Sequence, residues 1–126
     1  MARSRASAKK AGTSFETLIV NHLAKWVDDR IERRRLSGSN DRGDISGWRY
    51  AGHRIVGECK DYGGRIQPGP WLNELATEIG NDDALTGFII AKKRGTTDPN
   101  DQIVLTSLGE IIALLTGSRD HLEGNE

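Results

Sequence analysis

Apolar residues along positions 13–32 recur with the spacing of an α-helix. The stripe follows the pattern i, i+3, i+4, i+7, which places side chains on one face of a helix. It consists of Phe15, Leu18, Ile19, His22, Leu23, Trp26, Val27 and Ile31. The spacing predicts an amphipathic helix over 13–32, and Thr13 is a suitable cap for its start.

Shorter apolar segments follow, separated by turn-forming residues. Positions 44–48 and 54–60 predict the two strands of a hairpin around a turn at 50–52, and a short strand is expected before the loop at 38–40. Pro70 suits the first turn of a second helix. Strands are predicted at 87–91 and 102–106. Ser107 and Glu110 form a capping-box pattern for a last helix, which Gly117 ends. The order predicts an α/β fold with a mixed central sheet flanked by helices.

The hairpin places two acids and a lysine on one face if its register is right. Side chains alternate along a strand, so Glu58 and Lys60 share a face and Cys59 takes the other. A turn with an odd number of residues centred on Ala51 would pair Asp44 with Glu58. Opposed carboxylates repel, and a bound cation would relieve that repulsion. A turn with an even number of residues would put Asp44 on the wrong face.

Length and composition favour one domain in a reducing compartment. The chain has 126 residues and one cysteine, which allows one domain and no internal disulfide. Because no apolar run reaches 18 residues, no transmembrane helix is predicted. We expect a cytoplasmic location. Residues 1–12 are expected to be a basic flexible arm, 13–117 the folded domain and 118–126 an acidic tail.

The formal net charge of zero conceals an asymmetry. Residues 1–65 carry 14 Lys and Arg against 8 Asp and Glu, whereas residues 66–126 carry 4 against 10. The hairpin lies in the basic half. A basic surface around acids that hold a metal suits a polyanionic substrate, although a chance distribution of surface charge would look the same.

Several motifs together resemble the PD-(D/E)XK nuclease superfamily, and within it the archaeal and phage Holliday junction resolvases. They are GTSFE at 12–16, RRLSGSNDRGDI at 34–45, IVGECK at 55–60 and, more loosely, GFIIAKK at 87–93. Gly43 stands where the superfamily name has proline. The resemblance implies a restriction-endonuclease-like fold and a metal-dependent endonuclease that cuts branched DNA. It also implies a bacterial, archaeal or phage-infected host cell.

The resemblance also implies a role for each residue of the site. Asp44, Glu58 and the main-chain carbonyl of Cys59 would hold Mg²⁺ or Mn²⁺, Lys60 would orient or activate the attacking water, and Glu16 would complete the site. Oxygen ligands are those that Mg²⁺ prefers. Basic and hydroxyl side chains are expected to contact DNA phosphates: Lys9, Lys10, Arg33, Arg34, Arg35, Ser37, Ser39, Arg42, Lys92, Lys93 and Arg94.

Other interpretations remain open for these residues. Glu16 could instead bond back to the amide of Thr13 in a capping box, Asp44 could form an Asx turn, and the basic residues could be solvated surface charge. A nickase, a flap nuclease or a restriction-like enzyme would share the same site, and a non-catalytic DNA-binding dimer is a further alternative. A junction resolvase must make two symmetric cuts, which favours a homodimer.

Overall fold

The computed structural model describes residues 4–35 and 40–123. Ser37 and Ser39, which we expected to contact DNA, lie outside these ranges. The described residues form helices α1 (Arg5–Trp26), α2 (Pro68–Asp82) and α3 (Leu108–Thr116). The strands are β1 (Glu32–Arg33), β2 (Ile45–Ser46), β3 (Arg49–Tyr50), β4 (His53–Lys60), β5 (Thr86–Ala91) and β6 (Ile103–Leu105).

The strands make one mixed, open sheet in the order β1-β2-β4-β5-β6, and β3 also pairs with β4. β4 and β5 run parallel, while the other neighbouring strands are antiparallel. α2 connects the two parallel strands, as a crossover between parallel strands requires. The predicted α/β fold with a mixed central sheet is therefore confirmed.

Hydrophobic cores on both faces of the sheet fix the helices against it. On one face, α1 packs Phe15 and Ile19 near Ile45 and Ile90. On the other face, α2 packs Trp71, Leu75 and Ile79 against Val56, Ile89 and Ala91. Because β4 lies between α1 and α2, side chains at its end sit where both layers meet. No helix in the described ranges has the length and apolarity needed to cross a bilayer.

α1 begins earlier and ends earlier than the apolar stripe predicted. It starts at Arg5, where the Ser4 side chain accepts a hydrogen bond from the Ser7 amide at 3.1 Å. Residues 5–12 are therefore helical, and their prediction as a flexible arm was wrong, because a serine cap precedes good helix formers. The helix ends at Trp26, which is 69% exposed, so its place in the apolar stripe was also wrong.

The hairpin has the expected strand register, but its turn differs from the one on which that register was argued. Its turn has two residues, Ala51 and Gly52, both at positive φ, so the odd-numbered turn on which the pairing was conditional is not the one that forms. Three residues, 46–48, then lie opposite two residues, 55–56. This additional residue is a β-bulge. It shifts the pairing by one position, so Ile45 pairs with Gly57, and Asp44, directly before β2, donates its amide to the carbonyl of Gly57.

Close contact fixes the position of the bulge. Gly47 has a φ of 79°, and a Cβ built on it would lie 2.4 Å from the carbonyl oxygen of Arg30. Only glycine fits both the left-handed backbone and this approach. The chain before β1 thus locks the bulge, and through it the register of Asp44.

The last helix follows its predicted limits but not its predicted cap. α3 lies between Ser107 and Gly117, and Gly117 has the left-handed conformation typical of a helix end. The Ser107 side chain makes no capping hydrogen bond. The capping-box prediction was wrong because Glu110 is buried and instead pairs with Arg119 at 2.6 Å. The start of the acidic tail is therefore tied to the domain.

Candidate active site

The four residues predicted to be catalytic line one cavity at the end of β4. The cavity has a volume of about 820 Å³, and Glu16, Asp44, Glu58 and Lys60 all contribute to its wall. Basic side chains from three different segments complete the lining: Lys9 from α1, Arg65 from the loop after β4, and Arg94 from the loop after β5. Arg65 was not among the residues that the sequence indicated.

Asp44 is held beside β4 by main-chain hydrogen bonds. Its amide donates to the carbonyl of Gly57 at 2.9 Å, and its Oδ2 accepts from the amide of Cys59 at 2.8 Å. Burial raises the pKa of Asp44, and hydrogen bonds from the Cys59 amide and from Glu58 oppose that rise. Asp44 therefore points toward Glu58. The Asx-turn alternative is not its role, because Asp41 accepts the turn hydrogen bond from Gly43.

Glu58 is a buried carboxylate, only 6% exposed. Its Oε2 lies 3.4 Å from the Nζ of Lys60, while its Oε1 has no hydrogen-bond donor. Burial and the charge of Asp44 raise the pKa of Glu58 to about 8, although Lys60 lowers it. A second positive charge close to this oxygen would therefore be stabilised.

Lys60 is held as a cation. Its Nζ lies 2.5 Å from the Oε1 of Glu74 and 5.9 Å from the ring centre of Trp71. Burial favours the neutral amine, but the hydrogen bond to Glu74 and the charges of Glu58 and Glu74 outweigh it and raise the pKa of Lys60. This charge state suits an electrostatic role better than a role as a base. The partner Glu74 was not expected from the sequence.

Glu16 faces the same cavity from α1. Its Oε1 lies 3.3 Å from the guanidinium of Arg33. Burial and the charge of Asp44 raise the pKa of Glu16, while Arg33 lowers it. The capping-box alternative with Thr13 is wrong, because α1 begins eight residues before Thr13, at Arg5. Glu16 is thus an inward-facing acid near Asp44.

A further group of acids was not anticipated. Asp41, Glu58, Glu74 and Glu78 each offer a carboxylate oxygen, and these oxygens all lie within 4.8 Å of one another. We call this group the α2 acidic cluster, because two of its members lie on α2. Glu78 has no exposed surface. Burial, together with Glu58 and Asp41, raises its pKa to about 10. Helical spacing was the signal that could have shown Glu78 facing inward, because it lies seven residues after Trp71 and three after Leu75 on the apolar stripe of α2.

Cys59 contributes its main chain to the cavity and its side chain to the core beneath. The amide donates to Asp44, so the Cys59 peptide lies beside that carboxylate. The Cys59 carbonyl and Asp44 were expected to bind the same metal ion. The side chain packs with the α1 core. Burial raises the pKa of the thiol above its usual value, which keeps the sulfur protonated.

The basic residues expected to contact DNA divide into two groups. Arg34 and Arg42 approach the buried carboxylate of Asp82, at 3.6 Å and 3.9 Å, and the Arg34 side chain is only 18% exposed. Lys92 donates to the carbonyls of Lys93 and Thr96. These contacts tie the three side chains to their own fold. The more exposed group comprises Lys9, Lys10, Arg33, Arg35, Lys93 and Arg94. Within it, Arg33 pairs with Glu16 and Arg94 donates to the carbonyl of Gly63.

Comparisons with protein-family models, curated proteins and solved structures found no match to this chain.

Proposed function

We propose that this protein is a metal-dependent endonuclease that hydrolyses phosphodiester bonds in branched DNA, with a four-way junction as the best candidate substrate. The observation that carries the proposal is the convergence of Asp44, Glu58 and Lys60 in one cavity at the end of β4. Two carboxylates and a lysine are a set that supports metal-assisted phosphodiester hydrolysis. The resemblance to PD-(D/E)XK nucleases, and the restriction-endonuclease-like fold that it implies, belong to this proposal.

The residues present fit a hard divalent cation. Burial disfavours charge on both Asp44 and Glu58, and Glu58 Oε1 has no donor. Mg²⁺ uses few protein carboxylates and retains several waters, so two acids are enough. Asp44, Glu58 and the Cys59 carbonyl would hold the ion, with Glu16 as a further ligand. When bound, Mg²⁺ or Mn²⁺ supplies Lewis-acid chemistry, which polarises the phosphate and makes water more acidic.

The protein's own side chains account for the other requirements of the reaction. Lys60 carries its positive charge beside Glu58, where it would offset negative charge that develops on the scissile phosphate. Lys9, Arg65 and Arg94 line the cavity from three directions and would position the flanking phosphates. The exposed Arg33 also pairs with Glu16, so it would contact both the DNA backbone and one acid of the site.

A homodimer is part of the proposal, because resolving a four-way junction requires two cuts related by symmetry. Apolar surface is available for a second copy: Leu108 and Leu115 on α3 are 74% and 77% exposed. Light scattering of the purified protein would give the mass in solution, and a monomer on the junction would restrict the activity to single cuts.

The deciding experiment compares wild type with Asp44→Asn on synthetic four-way junctions, flaps, linear duplexes and single strands at one salt concentration. We expect wild type to cut the junction only with Mg²⁺ or Mn²⁺. Asp44→Asn should lose cleavage and still bind the junction, because the amide removes a metal ligand and leaves the phosphate contacts in place.

The matched control is Asp29→Asn on the exposed turn after α1, which should cleave like wild type. Cleavage by Asp44→Asn at the wild-type rate would exclude Asp44 as a ligand. Equal cutting of duplex and junction would favour a nickase or restriction-like enzyme. Binding without any metal-dependent cutting would favour the non-catalytic DNA-binding dimer.

A further inference from the structure

We propose that the α2 acidic cluster binds a hard divalent cation of its own, beside the one proposed for Asp44 and Glu58. The two sites share only Glu58. Asp41, Glu74 and Glu78 take no part in the proposed nuclease reaction, so the inference holds whether or not the chain cuts DNA.

Glu78 supplies the strongest observation. Its side chain has no exposed surface, and no donor reaches Oε1 or Oε2. Both oxygens belong to a carboxylate aimed at three other acids, since its ligand oxygen lies within 4.8 Å of theirs. Buried polar groups in folded proteins almost always have partners, and buried charges are paired or bind metals. A cation is the partner that this arrangement lacks.

Glu58, on β4, also has a buried oxygen without a donor. It is 6% exposed, and its Oε1 has no donor. Lys60 supplies one positive charge to Glu58 and Glu74, at 3.4 Å and 2.5 Å. If all four acids are to be ionised, one ammonium leaves three negative charges without a counter-charge. A dication would offset most of the remaining charge.

The spacing of the oxygens suits a single ion. Oxygen ligands lie about 2.3–2.6 Å from Ca²⁺ and about 2.0–2.1 Å from Mg²⁺, so opposite ligands are separated by roughly 4–5 Å. Four oxygens within 4.8 Å of one another therefore fit around one ion of this class. An all-carboxylate set selects Mg²⁺, Ca²⁺ or Mn²⁺ over softer metals.

Asp41 connects the site to solvent, and hydrogen bonds hold its loop in place. It is exposed, so an ion can reach the buried members from solvent. Its Oδ1 accepts from the amide of Gly43 at 2.9 Å, and its carbonyl accepts from Asn81 at 2.7 Å. These contacts pin the loop that carries Asp41 against α2, which reduces the ordering that metal binding would require.

Mn²⁺ is the probe, because free Mn²⁺ gives a strong paramagnetic resonance signal that allows bound ions to be counted. Full-length protein is titrated with MnCl₂ and the count is checked by calorimetry. Wild type should bind two ions. Glu78→Gln should bind one, and Glu74→Gln should weaken one of the two by at least about tenfold, the lower end of what even outer contacts to a metal contribute. Glu32→Gln, on exposed β1, should bind two.

The inference would be overturned if folded Glu78→Gln and Glu74→Gln each bound two ions as tightly as wild type does. It would also be overturned if wild type bound a single ion and Asp44→Asn removed it. If Glu78→Gln does not fold, Glu74→Gln decides, because that side chain is 40% exposed and its loss is better tolerated. Asp44→Asn should keep the cluster ion. Its cleavage activity tests the nuclease proposal separately, so the two ideas can fail independently.

Discussion

Glu78 has no solvent contact and no hydrogen-bond donor, which makes it an unfavourable residue at neutral pH in the absence of metal. Its pKa is raised from 4.5 to about 10, mainly by burial. The unfolded chain loses this proton near pH 4.5, whereas the folded chain keeps it until about pH 10. Between these values the folded state binds more protons, so stability falls as pH rises.

Glu78→Gln should therefore stabilise the protein in EDTA, by about 1–3 kcal/mol at pH 8 and by little at pH 5. The amide stays neutral and can donate to the neighbouring carboxylates. Urea denaturation at the two pH values measures the effect. Glu32→Gln on the exposed β1 is the control and should change neither value. A gain at pH 5 equal to that at pH 8 would show that packing, rather than the raised pKa, is the cause.

At the scale of elements, the hairpin shows how a site depends on backbone irregularity. The two-residue turn and the bulge at Gly47 each shift the register of the pairing by one residue, and the shifts compensate for each other. Because the Gly47 Cα lies against the Arg30 carbonyl, the segment between α1 and β1 holds the bulge in place. The position of Asp44 thus depends on a contact between two residues that do not line the cavity.

Gly47→Ala should destabilise the fold by about 2–4 kcal/mol, because the new Cβ meets backbone at 2.4 Å in a left-handed conformation that only glycine adopts freely. Thermal or urea denaturation gives the value. Gly80→Ala in the last turn of α2 is the matched control, since its Cβ meets nothing within 4 Å; it should be neutral or slightly stabilising. Equal stability of the two variants would mean that the bulge is not held by Gly47.

The sequence predicted the helices and strands whose formation depends on residues close together in the chain. Periodicity identified α2, α3 and the buried strand β5, and alternation placed Glu58 and Lys60 on one face. The start of α1 was missed because Ser4 and the basic residues after it resemble a disordered arm in composition. Glu78 was missed although helical spacing places it on the apolar stripe of α2, because a buried acid was not expected there. That Glu74 and Glu78 meet Glu58 and Asp41 depends on how α2 packs on β4, and this long-range packing leaves no local pattern in the sequence.

At the scale of the whole molecule, the unequal distribution of charge along the sequence becomes a group of basic residues around the cavity. Lys9, Arg65 and Arg94 are distant in sequence and meet at its wall. Arg34 and Arg42, by contrast, are drawn to Asp82. The charge available for a polyanion is therefore smaller than the count for residues 1–65 suggested, and it is concentrated near the acids.

Lys9→Ala and Arg65→Ala should each weaken binding to every DNA substrate to a similar degree, and each should reduce the slope of log affinity against log salt by about 1. Fluorescence anisotropy at several salt concentrations measures both quantities. Lys25→Ala is the control: it lies in the last turn of the same helix, over Trp26, about 24 Å along the axis from Lys9. A loss with Lys25→Ala as large as that with Lys9→Ala would place the DNA elsewhere.

The paired irregularities of the hairpin also bear on how related proteins can be found. The two acids must share a face, and the turn and the bulge together return Asp44 to the face of Glu58. A homologue with a three-residue turn should lack the bulge, and insertions and deletions in this segment should occur in compensating pairs. Because one insertion and one deletion cancel, such homologues keep the same spacing between the two acids, and a search that fixes this spacing while leaving the turn residues free would align them.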